Sequence, residues 1–95
     1  MKPIRVLSIF GTRPEAVKMA PVVRALSADA RIESHVCVTA QHREMLDQVL
    51  EQFAIRPDHD LDLMRPDQTL AKLTAEIFTH IDPVLESVKP DWILV

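Results

Sequence analysis

Glycine is nearly missing from this chain: Gly11 is the only one in 95 residues. That scarcity excludes the glycine-rich phosphate cradles, since neither G-x-G-x-x-G nor G-x-x-x-x-G-K-[ST] can be assembled. A single cysteine, Cys37, excludes an internal disulfide and fits an intracellular setting. Positive charge is in deficit too. A formal net charge of −3 argues against nucleic acid or an anionic membrane surface as partner. No apolar run approaches the length of a membrane span, and the first one is too short for a secretory leader before Arg13 interrupts it. The expectation is a cytoplasmic protein without internal repeats or low-complexity segments.

What is present is organised around residues 4–18. Val6 to Phe10 is short, apolar and partly β-branched, as suits a strand buried on both faces of a parallel sheet. Gly11 falls where that strand must turn, where φ > 0 or a close backbone approach is useful. Pro14 fits the first turn of a following helix, where its missing N–H has no partner to lose. The outcome is a helix N-terminus with unpaired amides, flanked by Arg13 and, one turn on, Lys18. Such a corner suits an anion, phosphate above all. The plainer alternative is two solvated charges at an ordinary turn. Glu15 in the same turn reads first as a capping carboxylate and only second as a general base.

Further along, Ala16, Met19, Ala20, Val23 and Leu26 carry helical spacing, with Pro21 expected to bend an opening turn into the main helix. Residues 32–39 read as a second strand, with His35, Cys37 and Thr39 on one face. His35 and Cys37 are two ligands without a third, so no metal site is assigned; Cys37 reads as a buried hydrophobe. Ala40, Gln41 and His42 form the next turn, at the same sheet edge as Arg13. Met45, Leu46, Val49, Leu50 and Phe53 then mark a second helix. The aspartates of 58–62 suggest a calcium loop, but Leu63 stands where glycine is needed and Thr69 where the bidentate glutamate is needed. A solvated connection around a short third strand at 59–61 is the simpler reading. From Thr69 a long helix shows one apolar stripe through Leu70, Leu73, Ile77, Ile81, Leu85 and Val88, widened by Phe78 and Val84. This stripe reads as core, Pro83 as a kink and His80 as solvated. Trp92 to Val95 begins a fourth strand. The pattern is α/β, β-α-β-α-β-α-β: a parallel-sheet, Rossmann-like half domain.

Two long stretches carry a family resemblance. The run from Phe10 to Pro21, F-G-T-R-P-E-A-V-K-M-A-P, and that from Val38 to Leu50, V-T-A-Q-H-R-E-M-L-D-Q-V-L, resemble signatures of the non-hydrolysing UDP-N-acetylglucosamine 2-epimerases. Lys89-Pro90-Asp91 before the last strand extends the likeness to the whole chain, over the family's N-terminal quarter. The resemblance implies a two-domain GT-B-like architecture, of which residues 1–95 are a partial N-terminal domain. It implies Arg13, Lys18 and Gly11 as contacts of UDP. It implies Gln41, His42 and Gln68 as residues of a site for a second, activating nucleotide-sugar, although Asp67 stands where some members have a basic residue. A UDP-sugar partner, a homodimer and a place in cell-surface polysaccharide biosynthesis are expected on the same ground.

The implied reaction inverts C2 of the sugar in UDP-N-acetylglucosamine. UDP is eliminated to a 2-acetamidoglucal, C2 is reprotonated on the other face, and UDP adds back. It needs no redox cofactor. The resemblance places the key carboxylates beyond Val95, starting with a His-Gly-Asp motif, so no catalytic residue is assigned here and this length of chain is expected to be inactive alone. Two other readings remain open: the nucleotide-sugar half of a GT-B glycosyltransferase, which usually has a glycine-rich first turn, and a non-catalytic truncated or interaction fragment.

Overall fold

A computed structural model describes residues 2–40 and 43–95. Four parallel strands form one sheet in the order β3-β2-β1-β4, with β1 at Ile4–Phe10, β2 at Ile32–Val38, β3 at His59–Asp60 and β4 at Trp92–Leu94. The three helices are α1 (Arg13–Ala28), α2 (Arg43–Gln52) and α3 (Leu70–Val88). β1 and β2 pair along their full length, from Ile4 opposite Ile32 to Phe10 opposite Val38.

Because strand side chains alternate, the sheet needs cover on both sides. One face sends Phe10, Val36 and Val38 against Ala16, Ala20 and Val23 of α1 and Leu46, Val49 and Leu50 of α2. The other sends Leu7 and Cys37 against Val84 and Val88 of α3. Strand order runs one way from β1 through β2 to β3 and then returns to β4 on the far side of β1. The carboxyl end of β1 is therefore a point where the winding reverses, the usual location of ligand sites in open α/β sheets.

Several expectations need correction. Gly11 is buried but has no positive φ; that conformation falls instead on Ala40, Ala54, Asp62, Asp67 and Lys89. α1 runs through Pro21 as one helix, without a separate opening turn, and α3 likewise runs through Pro83. β2 ends at Val38, and β3 has only two residues. The apolar stripe of α3 is core only in its last turns. Leu70 is 80% and Phe78 69% exposed, and Leu73 and Ile77 between them are only half-buried.

The acidic connection is more than solvated. Asp58 accepts the Val36 N–H at 2.7 Å, and its own N–H donates to the Val36 carbonyl at 2.9 Å. Leu61 and Leu63 then donate to the carbonyls of Val38 and Thr39. This segment is thus fastened along β2 beyond the short third strand. No described helix is long and apolar enough to cross a membrane.

Candidate functional site

The turn after β1 is set by a local exchange. Thr12 is the N-cap of α1, in extended conformation. Glu15 accepts from its N–H at 3.1 Å and from its hydroxyl at 2.6 Å, which uses an acidic side chain where the helix dipole favours one. Glu15 is therefore engaged as a cap. With Thr12 fixed, the next residue, Arg13, starts the helix at the carboxyl end of β1.

Arg13 and Lys18 line one open concavity of about 550 Å³, together with Pro14 and Val17 of α1 and Met45 of α2. Its walls are apolar and its polar groups are the two cations. Both are exposed, and neither has an ion-pair partner among the described residues. Two uncompensated cations beside a helix N-terminus form a region of positive potential. Gly11, buried at the foot of the turn, does not line the concavity.

The other candidate residues are not gathered here. Gln68 lies in a separate concavity of about 320 Å³ with Leu63, Arg65, Lys72, Glu76 and His80. Its Oε1 atom is buried without a hydrogen-bond partner. Gln41 and His42 lie outside the described residues. His80 is exposed on α3, with Nδ1 2.8 Å from the Glu76 carbonyl. On the α3 side of the sheet, His35 Nε2 sits 2.8 Å from Glu33, while Cys37 is fully buried. Burial, helped by the Asp60 charge, pushes the Cys37 thiol up to about 11. It is a packed hydrophobe and a poor nucleophile at neutral pH.

Two residues near the site escaped the sequence reading. Met45, which by spacing belongs to the apolar face of α2, is 48% exposed and forms a wall of the Arg13–Lys18 concavity. The buried positions Leu46, Val49 and Leu50 define a stripe that leaves Met45 on its flank. Arg43, the first residue of α2, pairs with Asp47 one turn on and with Asp60 and Asp62 from the β3 segment. The first pairing was readable as an i, i+4 spacing; the others needed the fold.

A parallel sheet with helices on both faces, carrying a cationic corner at the reversal of its winding, defines an α/β protein of the doubly wound class. Comparison with known proteins narrows this. The family profile described as UDP-N-acetylglucosamine 2-epimerase matches residues 24–95, and the chain belongs to that family. It is 63% identical over 92 residues to the UDP-N-acetylglucosamine 2-epimerase of Yersinia pestis, covering 97% of this chain and 24% of that one. Among solved structures, the UDP-GlcNAc 2-epimerase of Neisseria meningitidis bound to UDP-GlcNAc matches with a TM-score of 0.90 at 53% identity, over 95% of this chain and 24% of that one. S. aureus MnaA, in a co-structure with UDP, matches with a TM-score of 0.91 at 50% identity, over 100% of this chain and 24% of that one. The chain thus spans about a quarter of the length of these relatives. Membership of this family replaces the glycosyltransferase alternative.

Proposed function

We propose that the Arg13–Lys18 concavity holds the diphosphate of a UDP-sugar, and that the chain supplies this contact to a UDP-N-acetylglucosamine 2-epimerase. The observation that carries the reading is the shared concavity itself: two unpaired cations, beside a helix N-terminus, at the carboxyl end of β1. The relatives solved with UDP-GlcNAc and with UDP support the choice of ligand.

In the elimination of UDP, negative charge builds on the departing diphosphate. Arg13 presents a planar fork of donors suited to phosphate oxygens, while Lys18 adds a mobile point charge one turn along. Both lower the barrier to the extent that they bind the departing diphosphate more strongly than the intact substrate. Gly11 contributes by keeping the turn small. The acid–base groups that handle the C2 proton belong to the part of the family's length that this chain does not span. A cytoplasmic location, a homodimer in the longer protein, and an activator site using Gln41, His42 and Gln68 complete the proposal.

Titration of the 95-residue chain with UDP, followed by amide chemical shifts, tests the assignment. Saturable shifts at the start of α1 are expected, and Arg13→Ala should abolish them. Unchanged affinity in that variant would sink the anion-site reading. The same chain incubated with UDP-N-acetylglucosamine is expected to give no manno product by proton NMR; its appearance would show that the acid–base groups lie within these residues.

A further inference from the structure

We infer that Arg43 is a positioning residue for the Arg13–Lys18 concavity, holding the first turn of α2, and with it the Met45 wall, against the end of β3. The inference rests on the diphosphate reading above. Arg43 uses all three of its guanidinium nitrogens. Nε donates to Asp47 Oδ2 at 3.2 Å, Nη1 to Asp60 Oδ1 at 3.1 Å and to Asp62 Oδ1 at 3.0 Å, and Nη2 to Asp47 Oδ1 at 3.3 Å. Nη2 also makes a close contact with Asp60 Oδ2.

The anchors are themselves fixed. Asp60 ends β3, and the flanking N–H groups of Leu61 and Leu63 donate to the carbonyls of Val38 and Thr39. Asp62 donates its N–H to Asp60 Oδ1 at 3.1 Å and takes a left-handed φ of 48°, a conformation aspartate adopts more readily than most residues. The guanidinium therefore ties a helix terminus to the sheet rather than to another mobile side chain. Leu46 is the only buried residue in the first turn of α2, so packing there fixes the depth of the helix more than the position of its end. Met45 lies two residues from the clamp and faces the cations across the concavity. A lysine keeps the charge at position 43 but cannot span three carboxylates in one plane.

The experiment compares the unsubstituted chain with Arg43→Gln, Arg43→Lys and Asp62→Asn, using Arg13→Ala as reference. UDP affinity and the Met45 methyl resonance are read at a temperature where each variant is folded by its amide spectrum. Arg43→Gln should weaken UDP binding roughly three- to tenfold and shift the Met45 methyl, leaving that of Met19 in place. Arg43→Lys should recover only part of the loss. Asp62→Asn should move both readouts in the same direction by less, and carries the test if Arg43→Gln fails to fold. Wild-type affinity and an unmoved Met45 in the folded variants, with UDP binding lost in Arg13→Ala, would overturn the clamp and leave the diphosphate reading standing. Retention of UDP by Arg13→Ala, or no binding by the unsubstituted chain, would overturn that reading and this inference with it.

Discussion

At the scale of single residues, the chain spends its lone glycine on size rather than on handedness. Gly11 sits buried at the first turn without a positive φ, while Lys89 closes α3 at φ 50°, ψ 60°. Its N–H donates to the Leu85 carbonyl at 2.8 Å, so the left-handed cap is used even though a Cβ opposes it. Relieving that opposition should outweigh the entropy that a glycine adds to the unfolded chain. Lys89→Gly is therefore expected to raise stability by roughly 0.5–1 kcal/mol, read as a higher urea midpoint with unchanged slope. A lower midpoint would mean that the Lys89 stem contributes packing. Sequence reading could not find this position, because nothing in the residue type of a lysine marks a left-handed cap. The Thr12–Glu15 cap was legible for the opposite reason: a carboxylate in the first helical turn has a specific local use.

At the scale of elements, six of the seven described strands and helices are legible from apolar spacing, β3 with its His59–Asp60 pair being the exception, and so is the turn that carries Arg13. Periodicity shows which face of a helix is apolar, but not how much of that face another element covers. In α3 the stripe is continuous, yet burial is confined to its end, at Val84 and Val88. This gives two contrasting expectations. Phe78→Ala should change stability by no more than about 0.5 kcal/mol, since the ring is 69% exposed. Leu46→Ala, which removes a fully buried side chain of α2, should cost about 2–5 kcal/mol. Urea unfolding of both variants checks the pair. A large loss from Phe78→Ala would show that the first half of α3 packs against something in solution. The pairing of Arg43 with Asp60 and Asp62 was hidden at this scale, because its partners come from a segment whose position depends on strand order.

For the molecule as a whole, strand order places the cationic corner at the reversal between β1 and β4, which no local pattern encodes. The order depends on the connections between elements, and charged side chains help to fix some of them. The α1–β2 connection is one of these. Asp29 donates its N–H to the Leu26 carbonyl and accepts from Ile32 through its own carbonyl, while its carboxylate binds the Arg31 N–H and guanidinium. Chiefly through the hydrogen bond from the Arg31 side chain, the Asp29 pKa falls from 3.8 to about 2. Glu33, hydrogen-bonded to His35 at the start of the strand, is lowered as well. A carboxylate whose folded-state pKa is depressed stabilises the fold above its unfolded value and loses that contribution as protons bind. The stabilisation is thus fully present above about pH 4 and disappears as the pH falls towards about 2. Both groups are partly open to solvent, so salt should shrink the effect. The urea midpoint should decline across that window at low ionic strength, and Asp29→Asn should flatten the decline while lowering the midpoint at neutral pH. An equally steep acid limb in Asp29→Asn would assign it to other carboxylates, the Asp47–Asp60–Asp62 group around Arg43 being the next to substitute.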